Sequence, residues 1–227
     1  MRSGSGPDGM KEGLSMTNQI EVFTQNSIRI RSDACTMYID PFRIPEAPND
    51  ADYILITHDH YDHFSPEDIE KVSRKNTVLV VPEKMMKKAR ETQHLVGRIE
   101  TVRPGEHTTV QGLELETVPA YNTLKPFHPK RSGWVGYILS LAGQRIYIAG
   151  DTDLTKENRQ VRCDVALIPI GGTYTMDVKK AAELINEIKP NVAIPTHYGS
   201  IVGKPEDAAA FSSLVKPPVR VEVKIRT

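Results

Sequence analysis

Short apolar runs recur along the chain, separated by polar or Gly- and Pro-bounded segments. The runs at 20–23, 28–30, 37–39, 53–56 and 78–81 have the length and β-branched content of strands. Further runs at 113–118, 135–141, 145–149, 165–170 and 192–194 read the same way. Residues 219–225 alternate apolar and polar, which suits a half-exposed edge strand.

Four helices are expected between these strands. Ser65-Pro66-Glu67-Asp68 carries an N-cap serine, a proline at the first helical position and an acid at the capping-box position. A second helix is expected to start at Pro82-Glu83 and run to about Arg90. Asp177 caps a third, whose apolar stripe is Val178, Ala181, Ala182, Leu184, Ile185 and Ile188; Lys189-Pro190 ends it. Pro205-Glu206-Asp207 opens a fourth, through about Val215. The order runs from strand-rich to mixed to alternating strand and helix, which predicts a layered α+β or α/β architecture.

Composition narrows this picture. The 227 residues suffice for a sizeable core. Residues 1–15, with Ser-Gly-Ser-Gly-Pro near their start, read as a disordered or added leader, leaving 16–227 as one domain. Basic and acidic residues balance at 29 each, so overall charge favours neither nucleic acid nor an anionic membrane. No apolar run approaches the roughly 18 to 20 residues of a membrane span. Cys35 and Cys163 lie far apart, which suggests a reducing, cytoplasmic setting.

One stretch carries the chemistry. Of seven histidines, three fall in His58-Asp59-His60-Tyr61-Asp62-His63, directly after the apolar run 53–56. A strand ending there delivers imidazoles and carboxylates to one point, and these are ligands that zinc, iron and manganese accept. His58 and His60, two apart, can grip one ion; Asp62 and His63 can reach the same ion or a second. Other apolar runs also end in polar residues: 145–149 in Gly150-Asp151, 192–194 in Pro195-Thr196-His197. A glycine before Asp151 permits a tight turn, and a carboxylate there can bridge two cations.

Together, His58 to His63, Gly150-Asp151-Thr152-Asp153 and Pro195-Thr196-His197 resemble the metallo-β-lactamase fold superfamily, and within it a branch of small metal-dependent hydrolases that includes L-ascorbate-6-phosphate lactonase-like proteins. The resemblance implies a four-layer αβ/βα metallo-β-lactamase sandwich with a metal site at one edge and a metal-bound hydroxide as nucleophile. It implies His58 and His60 in a first metal site, Asp62, His63 and His197 in a second, and Asp151 between them. One or two divalent ions per chain follow, zinc first, with manganese or iron as alternatives. Many relatives supply a third histidine to the first site from the segment around Val118 to Asn122; here Asn122 stands there, so that site is expected to be the weaker. His128 fills the gap only if its loop folds inward.

Asp62 and Asp59 are the candidate catalytic carboxylates, Asp62 orienting water and Asp59 holding an imidazole tautomer. Asn122, His128, Lys130 and Tyr198 are candidate substrate contacts, with Tyr174 flanking the site. Lys125, His128, Lys130 and Arg131 form a basic loop suited to a substrate anion. Asp40, before Pro41, reads most simply as a turn former and Trp134 as packed core. His94 and His107 read as surface residues. The leading expectation is a hydrolase of a small ester, lactone or phosphorylated metabolite. The alternatives are an RNA nuclease or phosphodiesterase of the same fold, and a non-hydrolytic redox or sensor protein.

Overall fold

The computed structural model describes residues 16–225, so the expected leader at 1–15 lies outside the described residues. Strands β1 (Ile20–Val22), β2 (Ile28–Arg31), β3 (Thr36–Ile39), β4 (Tyr53–Leu55), β5 (Val78–Pro82) and β6 (Arg98–Val102) form one sheet in that order. Strands β7 (His107–Val110), β8 (Leu113–Pro119), β9 (Val135–Leu141), β10 (Gln144–Ile148), β11 (Val165–Pro169), β12 (Val192–Thr196) and β13 (Arg220–Val221) form the second, also in chain order. Each sheet begins antiparallel and finishes parallel: β3 to β6 run together in the first, β10 to β13 in the second.

The central strands are buried on both faces, and their residues alternate between two cores. In β4 and the residue after it, Tyr53 and Leu55 meet the core between the sheets, while Ile54 and Ile56 face outward. The outward face of the first sheet is covered by α1 (Pro66–Val72) and by α2 (Met86–Ala89) with the turn before it, through Ile69, Val72, Met85 and Ala89. The outward face of the second is covered by α3 (Val178–Ile188) and α4 (Asp207–Leu214) through Ala181, Leu184, Ile185 and Phe211. Helix, sheet, sheet, helix is the expected four-layer αβ/βα sandwich.

Local signals place the helix ends. Ser65 Oγ accepts the Asp68 amide at the start of α1, and the Asp177 carboxylate accepts the Lys180 amide at the start of α3. The second expected helix is shorter: Pro82 ends β5, and only Met86–Ala89 is α-helical, between 3₁₀ turns at Glu83–Met85 and Arg90–Thr92. No side chain caps its start. The strands β6 and β7 are absent from the apolar pattern because each pairs on one side only and exposes polar residues. The expected strand at 219–225 contracts to Arg220–Val221 beside β12. Cys35 and Cys163 are free thiols. No helix among the described residues is long and apolar enough to cross a membrane.

Candidate metal centre

The C-terminal ends of β3, β4, β10 and β12 converge at one edge of the sandwich. Register does this: Ile39 pairs with Leu55, so Asp40 emerges beside Thr57, and Asp40 N–H donates to Leu55 O at 3.0 Å. The Thr57 carbonyl accepts from Val135 N at 3.2 Å, which ties the β4 exit to the second sheet. Gly150 follows β10 with φ of +63°, and a Cβ there would lie 3.0 Å from the Thr57 side chain. Glycine thus lets the chain turn sharply and aim Asp151 back across the edge. Three other residues at the site, Asp40, His128 and His197, also have left-handed backbones, with φ of 46°, 56° and 56°. Such conformations are uncommon outside glycine and cluster where surrounding structure enforces them.

Two groups of ligand atoms result. In the first, His58 Nε2 lies 3.1 Å from His60 Nδ1 and 3.3 Å from His128 Nε2, and His128 Nε2 lies 3.2 Å from Asp151 Oδ2. In the second, His63 Nε2 and His197 Nε2 are 3.3 Å apart; each lies near Asp151 Oδ1, at 3.4 and 3.2 Å, and near Asp62 Oδ2, at 3.6 and 3.5 Å. Atoms held about 2.0–2.1 Å from one tetrahedral ion sit about 3.3–3.4 Å from one another. The observed separations have that spacing. Asp151 turns one oxygen to each group, and its Oδ1 is buried without a hydrogen-bond donor. An orphaned carboxylate oxygen among imidazole nitrogens is a poor arrangement for a protein alone and a good one for a cation.

The electrostatics agree. Burial opposes ionisation of Asp151, but the His197 and His63 rings hold its carboxyl well below the usual range. Burial likewise pulls His63 down, but Asp151 and Asp40 outweigh it and push the ring up to about 9. For His58, burial and the neighbouring His63 lower the ring well below its ordinary value. The cluster draws positive charge that crowded imidazoles cannot all supply.

A layer behind the ligands orients them. Asp40, fully buried, accepts from His63 Nδ1 at 2.7 Å, Thr57 Oγ1 at 2.6 Å and Asn26 Nδ2 at 2.8 Å through Oδ2, and from Thr57 N at 2.7 Å through Oδ1. A carboxylate on Nδ1 keeps the proton there, so Nε2 is the nitrogen that would exchange its proton for a metal. The turn-forming reading of Asp40 is therefore incomplete. Trp134 likewise leaves the expected core: its ring lies 5.0 Å from His58, 5.0 Å from His60 and 5.3 Å from His128.

The gap expected at Asn122 is closed by its own loop. Asn122 N–H donates to His128 O at 2.8 Å, and its side-chain amide donates to Tyr174 O at 2.7 Å and lies 3.4 Å from His128 Nδ1. His128 is turned inward and buried among the first group, while Asn122 sits behind it. Lys125 holds this loop by donating to Gly172 O at 2.6 Å and to Thr175 O.

Three sequence-expected roles lose their geometry. Lys130 Nζ pairs with Glu157 at 2.7 Å and lies over the Tyr121 ring, on a face away from the ligand cavity. Tyr198 is buried in the core beneath α3 and α4, because the left-handed turn at His197 redirects the chain. Among the described residues Asp59 hydrogen-bonds no imidazole, though its charge acts on His60; its carbonyl accepts from Lys88 Nζ, and it is Asp40 that bonds a ligand's Nδ1. His94 and His107 are exposed, as expected.

A cavity of about 280 Å³ opens onto the centre, lined by His60, Asp62, Asp151 and His197 together with Tyr61, Phe127, Tyr174 and Ile201.

Residues 19–197 match the family model described as a beta-lactamase superfamily domain. The UPF0173 metal-dependent hydrolase of Methanopyrus kandleri is 31% identical over 205 residues, covering 84% of this chain and 88% of the relative. This chain is a UPF0173 member of the beta-lactamase superfamily. A crystal structure from Parabacteroides distasonis, assigned as a metal-dependent hydrolase, superposes with a TM-score of 0.74 at 30% identity, covering 91% of this chain and 93% of that one. The superfamily fold also serves other chemistry. CmlA, a diiron β-hydroxylase from Streptomyces venezuelae, superposes with a TM-score of 0.68 at 13% identity, over 90% of this chain and 52% of that one. For this UPF0173 member, the donor set and the cavity therefore carry the chemical argument.

Proposed function

We propose that this chain is a hydrolase that uses two divalent cations and acts on a small ester, lactone or phosphorylated metabolite. The observation that carries this reading is the divided Asp151 carboxylate, one oxygen toward each donor group, with Oδ1 buried and lacking a donor. His58, His60, His128 and Asp151 Oδ2 would hold one cation; Asp62, His63, His197 and Asp151 Oδ1 would hold the other. Imidazole-rich sets of this kind suit zinc first, with iron or manganese admitted. When bound, such cations lower the pKa of water to roughly 7 and offset oxyanion charge at a carbonyl or phosphorus centre.

The protein's own contribution is position and proton handling. Asp62 is at once near the second donor group and part of the cavity wall, so it is the carboxylate placed to orient water. Asp40 fixes the His63 tautomer. The buried setting of His58, His63 and Asp151 excludes bulk water from the donors.

The other two readings are less well supported. A nuclease needs a basic groove along a strand, and among the described residues no lysine or arginine lines the cavity. A diiron redox role is open to the fold, but here five imidazoles face two carboxylates across the two groups. Residues 16–227 act as one domain in this reading, in a cytoplasmic setting, on a small-molecule substrate.

Elemental analysis after metal loading tests the assignment. Wild type should retain two ions per chain, His128→Ala about one, and Asp151→Ala neither tightly, with loss of hydrolysis in a screen of esters, lactones, phosphodiesters and RNA. Full retention by Asp151→Ala would overturn it; His94→Ala is the exposed control.

A further inference from the structure

Beyond the ligands, the cavity wall is apolar. Tyr61, Phe127, Tyr174 and Ile201 complete the lining and come from four separate segments. Three of them are solvent-exposed: Tyr61 at 64%, Phe127 at 44% and Ile201 at 36%. Large apolar side chains left in water at the mouth of a cavity gain free energy when something apolar covers them. They are also braced. The Phe127 and Tyr174 rings meet edge to face at 4.8 Å, and Tyr61 meets Phe42 in the same way at 5.9 Å.

Among the described residues no basic side chain lines the cavity, and four near it have partners elsewhere. Lys125 donates to the Gly172 and Thr175 carbonyls. Lys130 is paired with Glu157 outside the cavity, and Lys88 donates to the Asp59 carbonyl. Arg43 stacks over Phe42 at 5.1 Å and reaches Ser200 Oγ at 3.4 Å. Among the described residues, an anionic group lying against this wall, away from the two donor groups, would lose water and meet no basic side chain in the lining.

We propose that the substrate is a neutral ester or lactone whose portion lying against Tyr61, Phe127, Tyr174 and Ile201 is apolar and carries no phosphate or carboxylate. This rests on the hydrolase reading and narrows it. The reaction consumes one water. Its oxygen bonds to the acyl carbon and the acyl C–O bond breaks. One water proton goes to the departing alkoxide, giving a carboxylic acid and an alcohol, which stay joined when a lactone opens.

Two matched pairs test the proposal on the zinc-loaded protein: phenyl acetate against 4-carboxyphenyl acetate, and methyl benzoate against monomethyl terephthalate. The pairs place the charge on the alcohol half or the acyl half. In at least one pair the neutral member should lead by tenfold or more in kcat/KM, equivalent to about 1.4 kcal/mol. Phe127→Ala and Ile201→Ala should each lower kcat/KM for the favoured ester by about tenfold, mainly through KM. Both should keep wild-type metal content and the same solution mass by light scattering.

Equal or reversed preference in both pairs overturns the proposal while leaving the hydrolase reading intact. So does a change in solution mass with unchanged kinetics, which would make the apolar rim a contact between copies. Failure of the loaded protein on every ester, lactone and phosphodiester would instead overturn the hydrolase reading itself.

Discussion

Asp40→Asn is the sharpest probe of how the centre is built, because it changes one charge and almost no volume. Asp40 takes four donors: three on Oδ2, from Asn26, Thr57 Oγ1 and His63, and one on Oδ1, from the Thr57 amide. A carboxamide has one acceptor oxygen, so its NH₂ must face at least one of these donors. The milder placement opposes the Thr57 N–H and forfeits that bond, at about 1–3 kcal/mol for a buried group. The remaining three lose their charge assistance, which roughly halves their strength. At about 1 kcal/mol for each of these three, the sum is a destabilisation of about 4–6 kcal/mol, a large part of the 5–15 kcal/mol typical of a folded domain. The metal-related effect is separate. His63 would lose the carboxylate that fixes its tautomer, and such losses weaken metal binding about 10–100-fold. Guanidinium unfolding of the metal-free protein measures the first effect; chelator competition read by elemental analysis measures the second. Metal retention within threefold of wild type, alongside the expected stability loss, would refute the claim that Asp40 orients a ligand. No stability change at all would refute the four-donor geometry.

Two further substitutions test the scaffold. Asp68 is buried and accepts from the Arg43 and Ile44 amides at 2.9 Å each, Ser65 Oγ at 2.8 Å and Lys71 Nζ at 3.1 Å. Burial opposes its ionisation, but these donors, Ser65 first, hold its carboxyl below the ordinary 3.8. Its contribution is therefore fully present above pH 3.8 and lost as pH falls through the folded value. Asp68→Asn should cost about 2 kcal/mol at pH 7, and denaturant titrations should show the difference shrinking below pH 3.8; a difference that grows with acidity would contradict the sign. Gly150→Ala must hold φ near +63° with its Cβ 3.0 Å from Thr57. It should lose about 1–3 kcal/mol and release metal, since Asp151 moves with it. A fully metallated variant of wild-type stability would show the turn to be permissive.

What could be read from the chain was whatever a strand end announces locally. His58 to His63, Asp151 and His197 each follow an apolar run, so their convergence needs only strands that share an edge. His128 gave no such sign. It lies in a loop without a strand of its own, and its inward turn depends on Asn122 N–H donating to its carbonyl and on Lys125 anchoring to Gly172. Asp40 was hidden for another reason. An Asp-Pro pair signals a turn, and only the β3–β4 register reveals that the turn faces Thr57 and His63. Trp134 and Tyr198 were misplaced in opposite directions. Composition says that aromatic residues are buried, not which side of a sheet receives them. The edge strands β6 and β7 escaped because one-sided pairing leaves too little apolar content to register.

The chain-order layout of the two sheets also bears on how the molecule comes together. Everything through β6 supplies His58, His60, Asp62 and His63; everything from β7 supplies His128, Asp151 and His197. Neither stretch alone completes either of the two donor groups. Ions held by these two groups would therefore bind once the sheets have docked, and their binding would favour that association. In this protein the ions would serve as a clasp between two halves of one polypeptide as well as the seat of its chemistry.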